Sequence, residues 1–269
     1  MANQYLIALD LDGTLLRDDG TISEQLISYL QDLEKQGHIV CIASGRPIRA
    51  ISKYYNLIGL KSPMICYNGA YITAPNNPEF DDFVSTFPKE LIKEIVDELG
   101  EKHIANIMCE TNDDIWLIRE DSVLSDFFWH DNMNVHYGRI QDILDQDPMT
   151  MLIETTSTEA DPYVVKAVEK HPHLKVRFWN GLYALFSEIY YDYISKAEGL
   201  KMVADLYKIP HDHVIAIGDA CNDIEMLSFA GISIAMINGD EEVKKIASII
   251  SEFDNEHDGV MHALKKIIK

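Results

Sequence analysis

Short, unbroken apolar runs alternate with amphipathic stretches near the N-terminus. Tyr5–Leu9 is wholly apolar and stops at an acid. A parallel strand covered on both faces reads this way. The next stretch places Leu26, Ile27, Leu30 and Leu33 on one helical stripe, with Thr21 and Glu24 spaced as a capping box. A second apolar run, Ile39–Ala43, ends at Ser44-Gly45-Arg46-Pro47. Pro47 suits a first helical position, and Ile48, Ile51 and Tyr55 continue the helical period. A third run, Met64–Cys66, ends before Asn68-Gly69. Strand, helix, strand, helix, strand predicts an open parallel sheet.

The same rhythm returns near the C-terminus. Lys196–Tyr207 reads as a helix with Leu200, Val203, Ala204 and Tyr207 on one face. Val214–Ile217 is a buried strand ending at Gly218-Asp219, and Asn222 is suited to cap a helix over Asp223–Phe229. Ile232–Ala235 predicts another strand, and a final helix falls near His257–Ile268. The middle differs. Helical stretches (Leu91–Leu99, Val164–Glu169) mix with extended ones (Ile115–Ile118, Met149–Glu154, Lys175–Phe178). The expected organisation is one α/β domain, residues 1–82 and 187–269, interrupted by an α+β insertion at 83–186.

Open α/β sheets bind ligands at the carboxyl ends of their strands. Here those ends carry Asp10-Leu11-Asp12-Gly13-Thr14, Ser44-Gly45-Arg46, Asn68-Gly69, and Gly218-Asp219 with Asn222-Asp223. Asp10 and Asp12, two apart where a strand leaves the sheet, can face one site, and Asp219 and Asp223 can reach it from another strand. Clustered carboxylates repel, and a hard divalent cation such as Mg²⁺ relieves that repulsion. Ser44, Asn222 and loop amides can donate to an anion, and Lys196 can supply a fixed positive charge. A carboxylate nucleophile, a metal, donors and a lysine are parts for phosphoryl transfer through an aspartyl-phosphate.

These residues also carry a resemblance. Asp10-Leu11-Asp12-Gly13-Thr14 resembles the first motif of the haloacid dehalogenase superfamily, and Ala43-Ser44-Gly45-Arg46-Pro47 the second. Tyr67-Asn68-Gly69-Ala70, Lys196, and Gly218-Asp219 with Asn222-Asp223 and Met226-Leu227 match the later motifs of its Cof-type (IIB) phosphatase branch. The resemblance implies a Rossmann-like core with a large inserted cap that selects substrate. It implies Asp10 as nucleophile and Asp12 as general acid and base. Mg²⁺ would be held by Asp10, the Asp12 backbone carbonyl and Asp219, with Asp223 as a ligand or one step behind. Ser44, Gly45 and Lys196 would hold the phosphate, supported by Asn222. Two segments depart from the branch: Lys196-Ala197-Glu198-Gly199-Leu200 stands for KGxAL, and Ile237-Asn238-Gly239 for GNA. The implied reaction is hydrolysis of a small phosphorylated metabolite, a sugar phosphate. A phosphomutase or a non-catalytic phosphometabolite binder are the rival readings.

Simpler readings stand beside these. Asp10 and Asp12 could form a structural turn, but a calcium loop needs its glycine at position six and here it is at four. Arg46 either faces substrate or braces its loop, and Asn68 either forms a turn or faces the site. His171-Pro172-His173 and His211-Asp212-His213 read as loop histidines rather than metal pairs. Phe127-Phe128-Trp129 and Tyr190, Tyr191 and Tyr193 read as packing, or as a wall that stacks a sugar or base. Asp240-Glu241-Glu242 suits a helix start.

Composition narrows the partners. The 269 residues are 47% hydrophobic and 25% charged, as in a globular chain. With 23 basic and 44 acidic residues, the net charge of −21 disfavours nucleic acid and anionic membrane surfaces. No apolar run approaches the ~18 residues of a membrane span. The absence of a basic, apolar leader and four scattered cysteines without a CxxC pair lead us to expect a cytoplasmic protein with free thiols. Oligomeric state is not legible.

Overall fold

Leu6–Leu9, Ile39–Ile42 and Val214–Gly218 are buried at every residue, because their side chains are apolar or absent on both faces. In the computed structural model, which describes residues 4–120, 132–179 and 184–268, they form the middle of a parallel sheet. Its order is Ile249–Ile250, Ile232–Ala235, Val214–Gly218, Leu6–Leu9, Ile39–Ile42. A parallel bridge from Ala43 to Ile65 leads on to Met64–Cys66. That strand turns back antiparallel to Tyr71–Thr73. The chain leaves Leu6–Leu9 for one neighbour and returns much later as the other, Val214–Gly218. The strand order thus reverses at Leu6–Leu9, which opens a crevice at the carboxyl ends of these two strands.

Helices follow the apolar stripes. Glu24–Lys35 buries Leu26, Leu30 and Leu33, and Ile48–Ile58 ends at Gly59 in the left-handed region. Three local expectations are corrected. Ser23, not Thr21, caps the first helix, accepting the Leu26 amide at 3.0 Å, while Thr21 bonds Asp19. Pro47 is a capping residue rather than the first helical one. Asn222 lies inside a short 3₁₀ turn, Cys221–Asp223, that precedes the helix Ile224–Phe229, so it is no cap. A polar side chain at a strand exit can face either the helix or the site, and sequence spacing does not distinguish them.

The chain divides into two compact units, Met1–Phe83 with Ser195–Lys269, and Val84–Ile194. The second holds a six-stranded sheet in the order Leu174–Phe178, Phe186–Tyr191, Thr150–Thr155, Ile104–Glu110, Asp114–Leu117, Asn134–Tyr137. All neighbours are antiparallel except the last pair. Ile107, Cys109, Met151, Ile153 and Ile189 project to one face, against Ile92, Ile95 and Val96 of Lys89–Leu99 and Val164 of Asp161–Val168. The expected boundary at 187 falls inside Phe186–Tyr191, and this unit extends to Ile194. Phe127-Phe128-Trp129 lies outside the described residues. Tyr191 stacks between Phe87 and Tyr193, at 4.8 and 4.9 Å between ring centroids. Among the described residues, no helix is long and apolar enough to cross a membrane.

Candidate active site

Asp10 ends the first strand and hangs its amide on the Ile217 carbonyl of the neighbouring strand at 3.0 Å. Asp219 follows the end of that neighbour. The crevice between the two strands therefore receives both acids, and the short turn after Gly218 brings Asp223 back under them. Asp10, Asp219 and Asp223 each place a carboxylate oxygen within 4.8 Å of the other two.

Lys196 reaches the same point from 186 residues further along the chain than Asp10. Its side chain is fully buried, and its Nζ donates to Asp10 Oδ1 at 2.5 Å and to Asp223 Oδ1 at 2.7 Å. Ser195 fixes the helix start by accepting the Glu198 amide. Gly199 lets the helix lie close to Ile65, since a Cβ there would approach the Ile65 side chain to 2.9 Å. The Ala197/Gly199 exchange thus leaves the lysine on the acids.

Asp223 is heavily engaged. Its Oδ1 accepts from Lys196, and its Oδ2 accepts the amides of Asp219 and Ala220 at 3.0 and 3.1 Å. It shapes the turn that presents Asp219. Thr14 donates to Asp219 Oδ1 at 3.0 Å, and Asn238 donates to the Gly13 carbonyl at 2.7 Å. Neither role is legible in residue type alone. Asn238, however, follows the carboxyl end of Ile232–Ala235, where the same strand-end rule points. Gly13 has φ +69°, and a Cβ there would collide with the Asp219 carboxylate, so both conformation and space require glycine.

The Asp12 carboxylate stands apart from the converging three. Arg46 holds it at two points, Nε to Oδ2 at 2.7 Å and Nη2 to Oδ1. Arg46 therefore braces the acid. Ser44 is buried and its Oγ accepts the Arg46 amide at 3.2 Å. Gly45 is exposed beside the Asn68 side chain. Asn68, at φ +52°, donates its amide to the Ser44 carbonyl and accepts from Asn222 Nδ2 at 3.1 Å. Left-handed backbone at a non-glycine residue is a feature of such sites. Gly69, at φ +107°, sits where a Cβ would collide with the Ser195 carbonyl, which locks this turn onto the start of the lysine helix.

Burial pushes the Asp10 carboxyl well above the usual carboxylate range, repulsion from Asp223 adds to it, and Lys196 pulls it back. Burial and Asp223 raise Asp219 to about 7, against the Thr14 bond and Lys196. Burial alone would lower Lys196, but Asp10 and Asp223 outweigh it and hold the ammonium above its ordinary value. Three carboxylates face one ammonium, so the fully ionised site keeps two uncompensated negative charges. An all-carboxylate donor set with that residual charge fits a hard divalent cation.

Among the described residues, no histidine joins the cluster of Asp10, Asp219 and Asp223. His211 and His213 precede Val214, at the opposite end of the strand that leads to Asp219. His171 faces Glu98 at 3.6 Å and His173 faces Asp192 at 3.4 Å.

Residues 7–264 match the family model of haloacid dehalogenase-like hydrolases; the chain belongs to that family and is a phosphatase. It is 37% identical over 265 residues to the 5-amino-6-(5-phospho-D-ribitylamino)uracil phosphatase YitU of Bacillus subtilis, covering 97% of each. It is 26% identical to a phosphoglycolate phosphatase of Methanopyrus kandleri, over 98% of this chain and 97% of that one. A haloacid dehalogenase-like hydrolase from Bacteroides thetaiotaomicron superposes with a TM-score of 0.82 at 26% identity, over 98% of this chain and all of its own.

Proposed function

We propose that this phosphatase hydrolyses a small phosphomonoester, a sugar or polyol phosphate, through an aspartyl-phosphate on Asp10, with Mg²⁺ held by Asp10, the Asp12 carbonyl and Asp219. The convergence of Asp10, Asp219 and Asp223 on the buried Lys196 carries this reading. Bound there, Mg²⁺ supplies positive charge that offsets repulsion between carboxylate and phosphate. Lys196 orients the Asp10 carboxylate and adds charge at the point where anion meets anion. An Asp10 oxygen attacks phosphorus as the bond to the leaving oxygen breaks, and Asp12 gives that oxygen its proton. Asp12 then takes a proton from water, which attacks the aspartyl-phosphate, releases inorganic phosphate and returns Asp10. Ser44, the Gly45 loop and Lys196 hold phosphate oxygens, and Asn222 and Asn68 support that loop. Asp223 holds Lys196 and the Asp219 turn. The Val84–Ile194 unit carries substrate selection. The phosphorylated ribityl chain in the name of the 37% identical relative supports a polyol phosphate class.

The test is inorganic phosphate release from a panel of phosphorylated metabolites with Mg²⁺. Asp10→Asn is expected to abolish turnover in a folded protein, and excess chelator to stop it. Turnover by Asp10→Asn equal to the parent removes Asp10 as nucleophile, and full activity in chelator removes the metal.

A further inference from the structure

After the turn Leu11–Leu15, the Leu16 amide donates back to the Leu11 carbonyl at 2.8 Å. The backbone then makes a hairpin, with Arg17 N bonded to Thr21 O and Gly20 N to Arg17 O. The base of this hairpin is gripped by residues about 240 positions away. Asn255, buried, donates Nδ2 to the Leu16 carbonyl at 2.9 Å and to Asp18 Oδ1 at 3.0 Å. Glu256 accepts the Asp18 amide at 2.6 Å, and Asp258 pairs with Arg17 at 3.6 Å. The gripping loop is itself braced. Asp254 caps it, accepting the His257 amide, and a Cβ on Gly259 would collide with the Phe253 carbonyl.

Leu16 is thus bonded on both sides: its N–H closes the turn that carries Asp12, and its C=O is pinned by Asn255. We propose that Asn255 is a positioning residue for the acid–base step, holding the Leu11–Leu16 turn closed so that Asp12 meets the leaving oxygen. The proposal rests on the role of Asp12 in the reaction above. A buried amide that donates to two acceptors has a specific weakness. Asn255→Asp keeps the shape but sets an acceptor against the Leu16 carbonyl and the Asp18 carboxylate.

The experiment compares first-turnover release of the leaving group, which precedes hydrolysis of the aspartyl-phosphate, from an alkyl phosphate, whose leaving oxygen needs a proton, and from p-nitrophenyl phosphate, whose leaving group does not. Asn255→Ala and Asn255→Asp are expected to lower first-turnover alcohol release about tenfold or more, with KM and first-turnover p-nitrophenol release held within about twofold. Adding Asp18→Asn to Asn255→Asp restores a donor facing an acceptor between these two positions but leaves the Leu16 carbonyl against a carboxylate, so the alkyl rate is expected to stay low. That double variant also decides the matter if Asn255→Ala fails to fold. Equal first-turnover losses on both substrates, an unchanged alkyl rate, or recovery of the alkyl rate in the double variant overturns the proposal. Asp12→Asn is the separate control: its first-turnover release of alcohol should fall more than its release of p-nitrophenol, and equal first-turnover losses there would overturn Asp12 as the acid, whatever Asn255 does.

Discussion

Lys196 is the residue on which the site's electrostatics turn. Its ammonium is buried with two carboxylates bonded to it, so Lys196→Met would strand Asp10 and Asp223 without their cation. The expected loss is about 3–5 kcal/mol near neutral pH, smaller in acid as the carboxyls take up protons, and read from denaturant midpoints. Asp219 supplies a second prediction. Its value of about 7 in the fold lies above the ordinary 3.8, so the protonated form is favoured in the native state. Without metal, its contribution to stability is full below 3.8 and is lost as pH rises through about 7. A cation must displace that proton. Mg²⁺ affinity should therefore weaken as pH falls below about 7, with proton release on binding, as calorimetry in buffers of different ionisation heat would show. Pale dependence on pH across that range would separate Asp219 from the metal. Asp10, Asp12, Lys196, Asp219 and Asp223 were legible as residue types at strand and helix ends. The partners of Thr14 and Asn238 were not, and Asn255 was not singled out at all, because a neutral side chain that orients another does not announce which group it meets.

At the scale of elements, the candidate site is held by tight joins between segments. Gly69 against Ser195 is the sharpest of these. Gly69→Ala would force a side chain into left-handed backbone and into a carbonyl, at a cost of about 1–3 kcal/mol in urea unfolding, with lower activity because the lysine helix must shift. A variant of parental stability would show that this contact is not tight. The core strands were readable because a fully buried parallel strand has to be apolar on both faces. Met64–Cys66 and Lys196–Tyr207 fall where the periodicity puts them. Phe186–Tyr191 was hidden, since Phe186-Ser187-Glu188-Ile189-Tyr190-Tyr191 mixes polar and apolar positions without a clean alternation. The helix caps also misled, because several polar residues before each helix can cap and only the loop dihedrals choose among them.

For the whole molecule, the balance of charge links fold to function. The chain carries −21, and its site concentrates three carboxylates around one lysine. A ligand that binds only the folded form stabilises it by mass action. Mg²⁺ at about 100 times its dissociation constant should add about 2.7 kcal/mol to the unit built from Met1–Phe83 and Ser195–Lys269. Calorimetric scans should show this as a rise in that unit's transition, absent in the Asp219→Asn protein. A rise of the same size in that variant would place the cation elsewhere.

The order of apolar runs along the chain was enough to define a parallel core, and the polar residues at its strand ends were enough to mark a candidate site, because both follow from which faces water can reach. Which acid meets which cation was settled only in three dimensions. Lys196 joins Asp10 to Asp223, Arg46 takes Asp12, Asn222 meets Asn68, and Asn255 holds Leu16. Side-chain direction at a strand exit depends on a few loop dihedrals and on partners up to 239 positions away, and neither is written in local spacing.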